Sequence, residues 1–155
     1  MNKNRLLEQR HRIDKRRFNI TFTDNNADLI QQSIVQSWHR SDNANIPTER
    51  QQAPINATKS DQSYYLKKAL GYCQNQLQHI TLQSSMVMAV ADIGSTIIWT
   101  TASKSMQKAA EAVNFIEGGC WGESQVGTNA LALSLKTQQS TCVFSNEHYM
   151  PSVHE

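Results

Sequence analysis

Phe115-Ile116-Glu117-Gly118-Gly119-Cys120-Trp121-Gly122-Glu123-Ser124-Gln125-Val126-Gly127-Thr128-Asn129-Ala130 is the stretch on which the reading of this chain turns. Gly118, Gly119 and Gly127 let the backbone bend where a Cβ would object. Behind Gly127, a cap residue precedes Ala130-Leu131-Ala132-Leu133-Ser134-Leu135, which are strong helix formers, so a short and largely buried helix is expected over residues 128–135. Glu123 and Thr128 stand where side-chain oxygens can satisfy the open backbone N–H groups of a helix start. The stretch therefore reads as a glycine loop, an aromatic anchor and a helix entry in succession.

Upstream, Ser103 to about Val113 predicts a helix that Asn114 can end. Before it, the apolar run Met86–Ala91 and the β-branched run Thr96–Thr100 flank Asp92-Ile93-Gly94-Ser95, the pattern of a hairpin with Gly94 supplying the turn. From Ser60 or Asp61 to about Leu82, the residues Leu66, Leu70, Cys73, Leu77 and Ile80 recur at steps of three and four, predicting one helix with one apolar stripe. Ser41–Ser60 carries Pro47 and Pro54 among polar residues and reads as a connector. From Asp28 to Arg40, Leu29, Ile30, Ile34, Val35 and Trp38 predict an amphipathic helix, with Asp24, Asn25 or Asn26 available as N-cap. Downstream, Thr141-Cys142-Val143-Phe144 reads as one more strand. Helices packed on an antiparallel sheet make an α+β layout. It divides into a basic tail (1–26), a helix with linker (27–59) and a folded unit (60–155).

The 155 residues are 39% hydrophobic, enough for one core but not two. No apolar run approaches the roughly 20 residues that span a bilayer, and the N-terminus lacks the apolar stretch of a signal peptide, so the expectation is a cytoplasmic protein with no membrane partner. Cys73, Cys120 and Cys142 are odd in number, far apart and without CxxC spacing. They point to reduced thiols in a core rather than zinc ligands or disulfides. Charge is uneven: up to Arg17 seven Lys/Arg face Glu8 and Asp14, a net +5, so with a total of +2 the remaining residues carry −3. A solvated basic end is the ordinary meaning of such a tail, and direct DNA binding by this chain is not expected.

The quoted stretch together with Glu147-His148-Tyr149 resembles the GAF sensory domain of acetoin-catabolism-type regulators, which are sigma-54-dependent transcriptional activators of bacteria. That family's pattern is an aromatic and a glycine loop, then W-x-E-x-x-x-G-T-N-A, then E-H-[YF] some twenty residues on. It is matched here by Trp121, Glu123, Gly127, Thr128, Asn129, Glu147 and Tyr149. Ser37-Trp38-His39-Arg40 resembles the SWxR signature of the preceding helix, and Asp92 and Gly94 fall at the family's first hairpin. Four short motifs in the right order, covering roughly Ile34 to Tyr149, are far more specific than any one alone. Two positions depart from the pattern: Ser41 stands where the family often has Cys, and Asn45 where it often has Gly. Family members also continue into further strands that complete the sheet, so here its C-terminal strands are expected to be missing. No GxxxxGK[ST] phosphate loop occurs in the sequence.

The resemblance implies a regulatory, non-catalytic sensor that needs no cofactor, holds a small-molecule effector between the sheet and its covering loops, and acts on transcription. Trp99, Phe115, Trp121 and His148 are the candidate ligand contacts. Trp38, Arg40, Asp92, Gly94, Glu123, Gly127, Thr128, Asn129, Glu147 and Tyr149 are assigned architectural roles, since capping and turn residues at helix starts serve structure more often than ligands. Neighbouring Glu147 and His148 point to opposite sides of an extended chain, which favours loop hydrogen bonding over an acid–base pair or a metal site. No cation flanks Cys120, while Glu117 and Glu123 do, so a passive thiol is expected. Two other readings stand beside the sensor. One is a ligand-free module that homodimerises through its helices. The other is an enzyme like the free methionine sulfoxide reductases, whose cysteine motif context is not met here.

Overall fold

The computed structural model describes residues 32–47, 49–56, 62–144 and 147–153. Its centre is the expected hairpin. Strand β1 (Val87–Ala91) runs antiparallel to β2 (Ile97–Ala102), with Val87 opposite Ala102 and Ala91 opposite Ile97, and with a register irregularity between Val90 and Ala91. The turn is built by Asp92, whose carboxylate accepts the backbone N–H of Gly94 at 2.9 Å and of Thr96 at 3.0 Å. The left-handed residue is Ser95, at φ 64°, rather than Gly94. The turn thus depends on the Asp92 side chain more than on a glycine conformation.

The glycine stretch widens the sheet. Gly118 N–H donates to the Ile97 carbonyl at 2.8 Å and Ile97 N–H to the Gly119 carbonyl at 2.9 Å. On its far side the same stretch takes the N–H of Asn56 on the Gly118 carbonyl, and Cys120 N–H donates to the Pro54 carbonyl, both at 2.8 Å. Isolated antiparallel bridges Thr96–Cys120 and Ile55–Gly119 mark the two seams. Glycine is required at 119, because a Cβ there would lie 2.2 Å from the Asn114 carbonyl. Residues 54–56, expected only as connector, thereby become sheet edge.

Helices α2 (Gln62–Leu70) and α3 (Gln74–Leu82) pack on the hairpin, and α1 (Gln32–Asn43) packs on the short α5 (Glu123–Val126) and on α6 (Ala130–Thr137). Helix α4 (Gln107–Ala112) lies between β2 and the glycine stretch in sequence, and a 3-10 turn, Pro151–Val153, follows Met150. Ile97, Trp121, Val126, Met150 and Ala53 form the buried cluster, with Phe115, Val113, Leu131, Ala89 and Val153 packed against it. Full burial of such a side chain contributes roughly 1.5–3 kcal/mol. The core therefore sits where strand, glycine stretch and 3-10 turn meet.

Several expectations are corrected. The first helix runs on to Asn43, three residues beyond Arg40, and its expected start and N-cap lie outside the described residues. Its buried residues are Ile34, Ser37 and Ser41, a polar-lined face that an apolar pattern could not reveal. The helix expected from Ser60 to Leu82 is two helices, broken at Gly71-Tyr72-Cys73, where Tyr72 and Cys73 N–H groups bond three residues back to Ala69 and Leu70. Gly71 is a poor helix former, and the tightened turn rotates the second helix out of phase. Of the expected stripe only Leu70 is buried, while Leu66 before the break and Cys73 and Ile80 after it are exposed. The thiols are not core residues either: Cys73 and Cys142 are exposed and Cys120 is half-buried, and all three are free. Helix α4 begins only at Gln107, and Asn114, at φ 58°, ends it as expected. Residues 141–144 form no strand, and Phe144 is 68% exposed; β-propensity there finds no ladder partner.

Candidate functional site: a cleft and a clasp

Helix α1 is held to the glycine stretch by side chains from both motifs. Arg40 and Ser37 stand three apart on one face of α1. The Arg40 guanidinium donates from Nε to Glu123 Oε2 and from Nη2 to Glu123 Oε1, each at 2.7 Å. Ser37 Oγ donates to Glu123 Oε1 as well. Burial opposes ionisation of Glu123, but the Arg40 and Ser37 hydrogen bonds, with the attraction of Arg40 and Lys136, outweigh it and hold this carboxyl below its ordinary range. The hydrogen bond from Arg40 raises the guanidinium's own pKa against a smaller desolvation effect. Glu123 is thus a fixed anion gripping α1, and it makes no helix-capping bond of its own.

Three further side chains close this clasp. Trp38 Nε1 donates to the Glu147 carbonyl at 2.8 Å. Tyr149, 4% exposed, holds its hydroxyl 3.0 Å from Asp42 Oδ1 and 3.2 Å from the Ile46 carbonyl. Ser41 Oγ donates to the Ser37 carbonyl and lies 3.4 Å from Thr128 Oγ1. Asn45 turns the chain after α1 at φ 54°, a conformation asparagine tolerates better than most residues. That accounts for its presence where a glycine was the pattern.

Asn129 locks the helix entry. Its Oδ1 accepts the Ala132 N–H as N-cap of α6, and its amide donates to the carbonyls of Trp121 and Gly127, all at 2.9 Å. Gly127 has φ 76°, and a Cβ on it would come within 2.4–2.6 Å of Tyr149 ring and Cβ atoms. Tyr149 N–H in turn donates to the Thr128 carbonyl at 2.9 Å. Downstream, Glu147 accepts the Phe144 N–H on its carboxylate at 2.8 Å, and a His148 ring nitrogen lies 3.1 Å from the Val143 carbonyl. Both side chains fold back on their own loop.

On the other side of Trp121 lies a cleft of about 260 Å³ lined by Thr100, Thr101, Ala102, Gln107, Ala110, Glu111, Phe115 and Ile116. Phe115 crosses the buried Trp121 edge to face, 4.9 Å between centroids and 81° between planes, and Trp121 Nε1 donates to the Asn114 carbonyl at 3.1 Å. Of the four candidate ligand contacts the structure brings together Phe115 and Trp121. Only Phe115 lines this cleft; Trp99 faces Val90 across the hairpin, and His148 belongs to the clasp side. The hydroxyls of Thr100 and Thr101 and the Gln107–Glu111 pair were not singled out in the sequence. Their signal, polar residues on a strand end and one turn apart on α4, is common to any solvated face. Among the described residues no group of three His, Cys, Asp or Glu is placed to hold a metal, and no helix is long and apolar enough to cross a membrane.

Sheet, flanking helices and clasp define a GAF-like α+β fold. No family model matches the chain. It is similar to the acetoin dehydrogenase operon transcriptional activator AcoR of Bacillus subtilis, 26% identical over 81% of this chain and 22% of that protein. A second relative is the propane 2-monooxygenase operon transcriptional activator MimR of Mycolicibacterium smegmatis, 20% identical over 79% of this chain and 21% of its own. The chain therefore spans about a fifth of the length of these activators. Among solved structures, the Escherichia coli DhaR(N)–DhaL complex matches with TM-score 0.64 and 17% identity over 80% of this chain and 44% of the other. The match establishes the fold.

Proposed function

We propose that this chain is the sensing part of a transcriptional activator, in which a small effector in the cleft beside Phe115 alters how the clasp holds α1. The role is regulatory and non-catalytic, in a bacterial cytoplasm. The observation that carries it is one contiguous path: Phe115 lines the cleft, Trp121 packs against it, and Glu123, two residues on, grips Arg40 of α1. A ligand that shifts the Phe115–Trp121 pair acts on the backbone that positions Glu123. The sensing unit in this reading begins at about residue 60, preceded by the α1 segment and a basic tail.

Thermal unfolding against a panel of acetoin, diols, short aldehydes, amines and carboxylates tests the reading. A compound at a hundred times its dissociation constant adds roughly 2.7 kcal/mol of stability, an upward shift that Phe115→Ala removes. Transitions blind to every compound contradict it.

A second reading has its own observation. Tyr64, Tyr65 and Tyr72 are 63–80% exposed, with Ile80 and Leu82 about half exposed, on α2, α3 and the turn between them. Such a surface suits a protein contact, and a homodimer is the simplest form. Light scattering and the mass of Tyr65→Glu with Leu82→Glu distinguish it from the sensor reading.

A further inference from the structure

The charge of the cleft narrows what it can hold. Glu111 is the only ionised side chain among its eight lining residues, and no Lys, Arg or His is among them. Gln107 Nε2 donates to Glu111 Oε1 at 3.0 Å, one helical turn away, so one carboxylate oxygen is steadied and the other stays available. Lys108, three residues before Glu111 on α4, is a neighbour of that carboxylate along the helix but is not part of the lining. Glu117, the other nearby acid, is already paired with Lys67 at 2.7 Å. Phe115, Ala110 and Ile116 share the lining with Glu111, as do Thr100, Thr101 and Ala102 of β2. The Thr100 hydroxyl donates to the Met88 carbonyl at 3.1 Å, so its proton is already engaged.

A carboxylate and an aromatic residue, with no cation in the lining, repel a carboxylate or phosphate and attract an ammonium group. The volume, about 260 Å³, is just below the usual range for ligand pockets and admits a short organic cation rather than a nucleotide. We propose that the cleft selects a small organic ammonium ion, its nitrogen at Glu111 and its carbon chain on Phe115. This deepens the sensor reading and rests on it.

The test measures binding by calorimetry to the full chain for three probes of one shape: n-butylammonium, 1-butanol and butyrate, with choline as a quaternary variant. The expected order is butylammonium first, with butyrate undetectable. Glu111→Gln is expected to weaken butylammonium by about fivefold, the share of a partly exposed ion pair, leaving 1-butanol unchanged and the thermal midpoint of the free protein in place. If 1-butanol or butyrate binds as tightly as butylammonium, or if Glu111→Gln leaves butylammonium unaffected, the ammonium assignment fails while the sensor reading stands. If none of the probes binds and the wider panel is also silent, both fail together.

Discussion

Arg40 and Glu123, far apart in sequence, meet as a two-pronged ion pair, Nε and Nη2 each 2.7 Å from a different carboxylate oxygen. The pair joins α1 to the first residue of α5. Its side chains are 34% and 15% exposed, so water screens it in part. Replacing Glu123 by Gln is expected to cost about 1–2 kcal/mol in urea unfolding, combining the lost charge with the weakened grip on Arg40 and Ser37. Arg40→Met in the same background should add little, because both changes break one unit.

Acid should release the same contact. The Glu123 carboxyl is held below its ordinary range. Its contribution is therefore fully present above the unfolded value, about 4.3, and is lost as the pH falls through the lower folded value. Stability measured from pH 6 down to 3 is expected to decline more steeply in the parent than in Glu123→Gln below about pH 4. Parallel curves would show that other carboxylates dominate.

Gly127 admits no side chain. With φ 76° and Tyr149 atoms within 2.6 Å of the site of a Cβ, Gly127→Ala combines backbone strain with a steric clash. Chemical denaturation is expected to show a loss of about 2–4 kcal/mol, far above the roughly 1 kcal/mol typical of a substitution. An ordinary surface glycine would show no such loss.

Asn129→Ala removes the N-cap of α6 and leaves the Trp121 and Gly127 carbonyls without that partner. The expected cost is about 2–3 kcal/mol, from the cap and the buried carbonyls together. Asn129→Asp, which keeps the cap and loses the two donors, should fall between parent and Ala. Equal losses for both variants would place the whole effect on the carbonyls.

Where local chemistry decided the structure, the amino-acid pattern was readable. The hairpin followed from β-branched runs around Asp92, and a cap residue ahead of Ala130-Leu131-Ala132 marked the entry to α6, although the capping side chain is that of Asn129 rather than Thr128. Where long-range contact decided it, the pattern was silent or misleading. The stripe expected to run on from Leu70 through Cys73 and Ile80 is lost because the break at Gly71 changes the helix phase. Residues 54–56 joined the sheet through partners sixty residues away in the chain, a pairing no local signal encodes. The α1 face of Ser37 and Ser41 is polar and yet buried, since Glu123 and Thr128 supply its partners, and no apolar pattern could mark it. Of the site, Phe115 and Trp121 were legible as neighbouring aromatics; Glu111 was not, because one acid on a helix carries no mark of the cleft it borders.

Amide hydrogen exchange with and without a saturating compound from the stabilising panel tests the link between cleft and α1 most directly. The account predicts altered protection in two separate places: residues 100–116 around the cleft, and residues 34–43 of α1, the latter abolished in Glu123→Gln. A change confined to the cleft, with α1 indifferent to the bound compound, would contradict it.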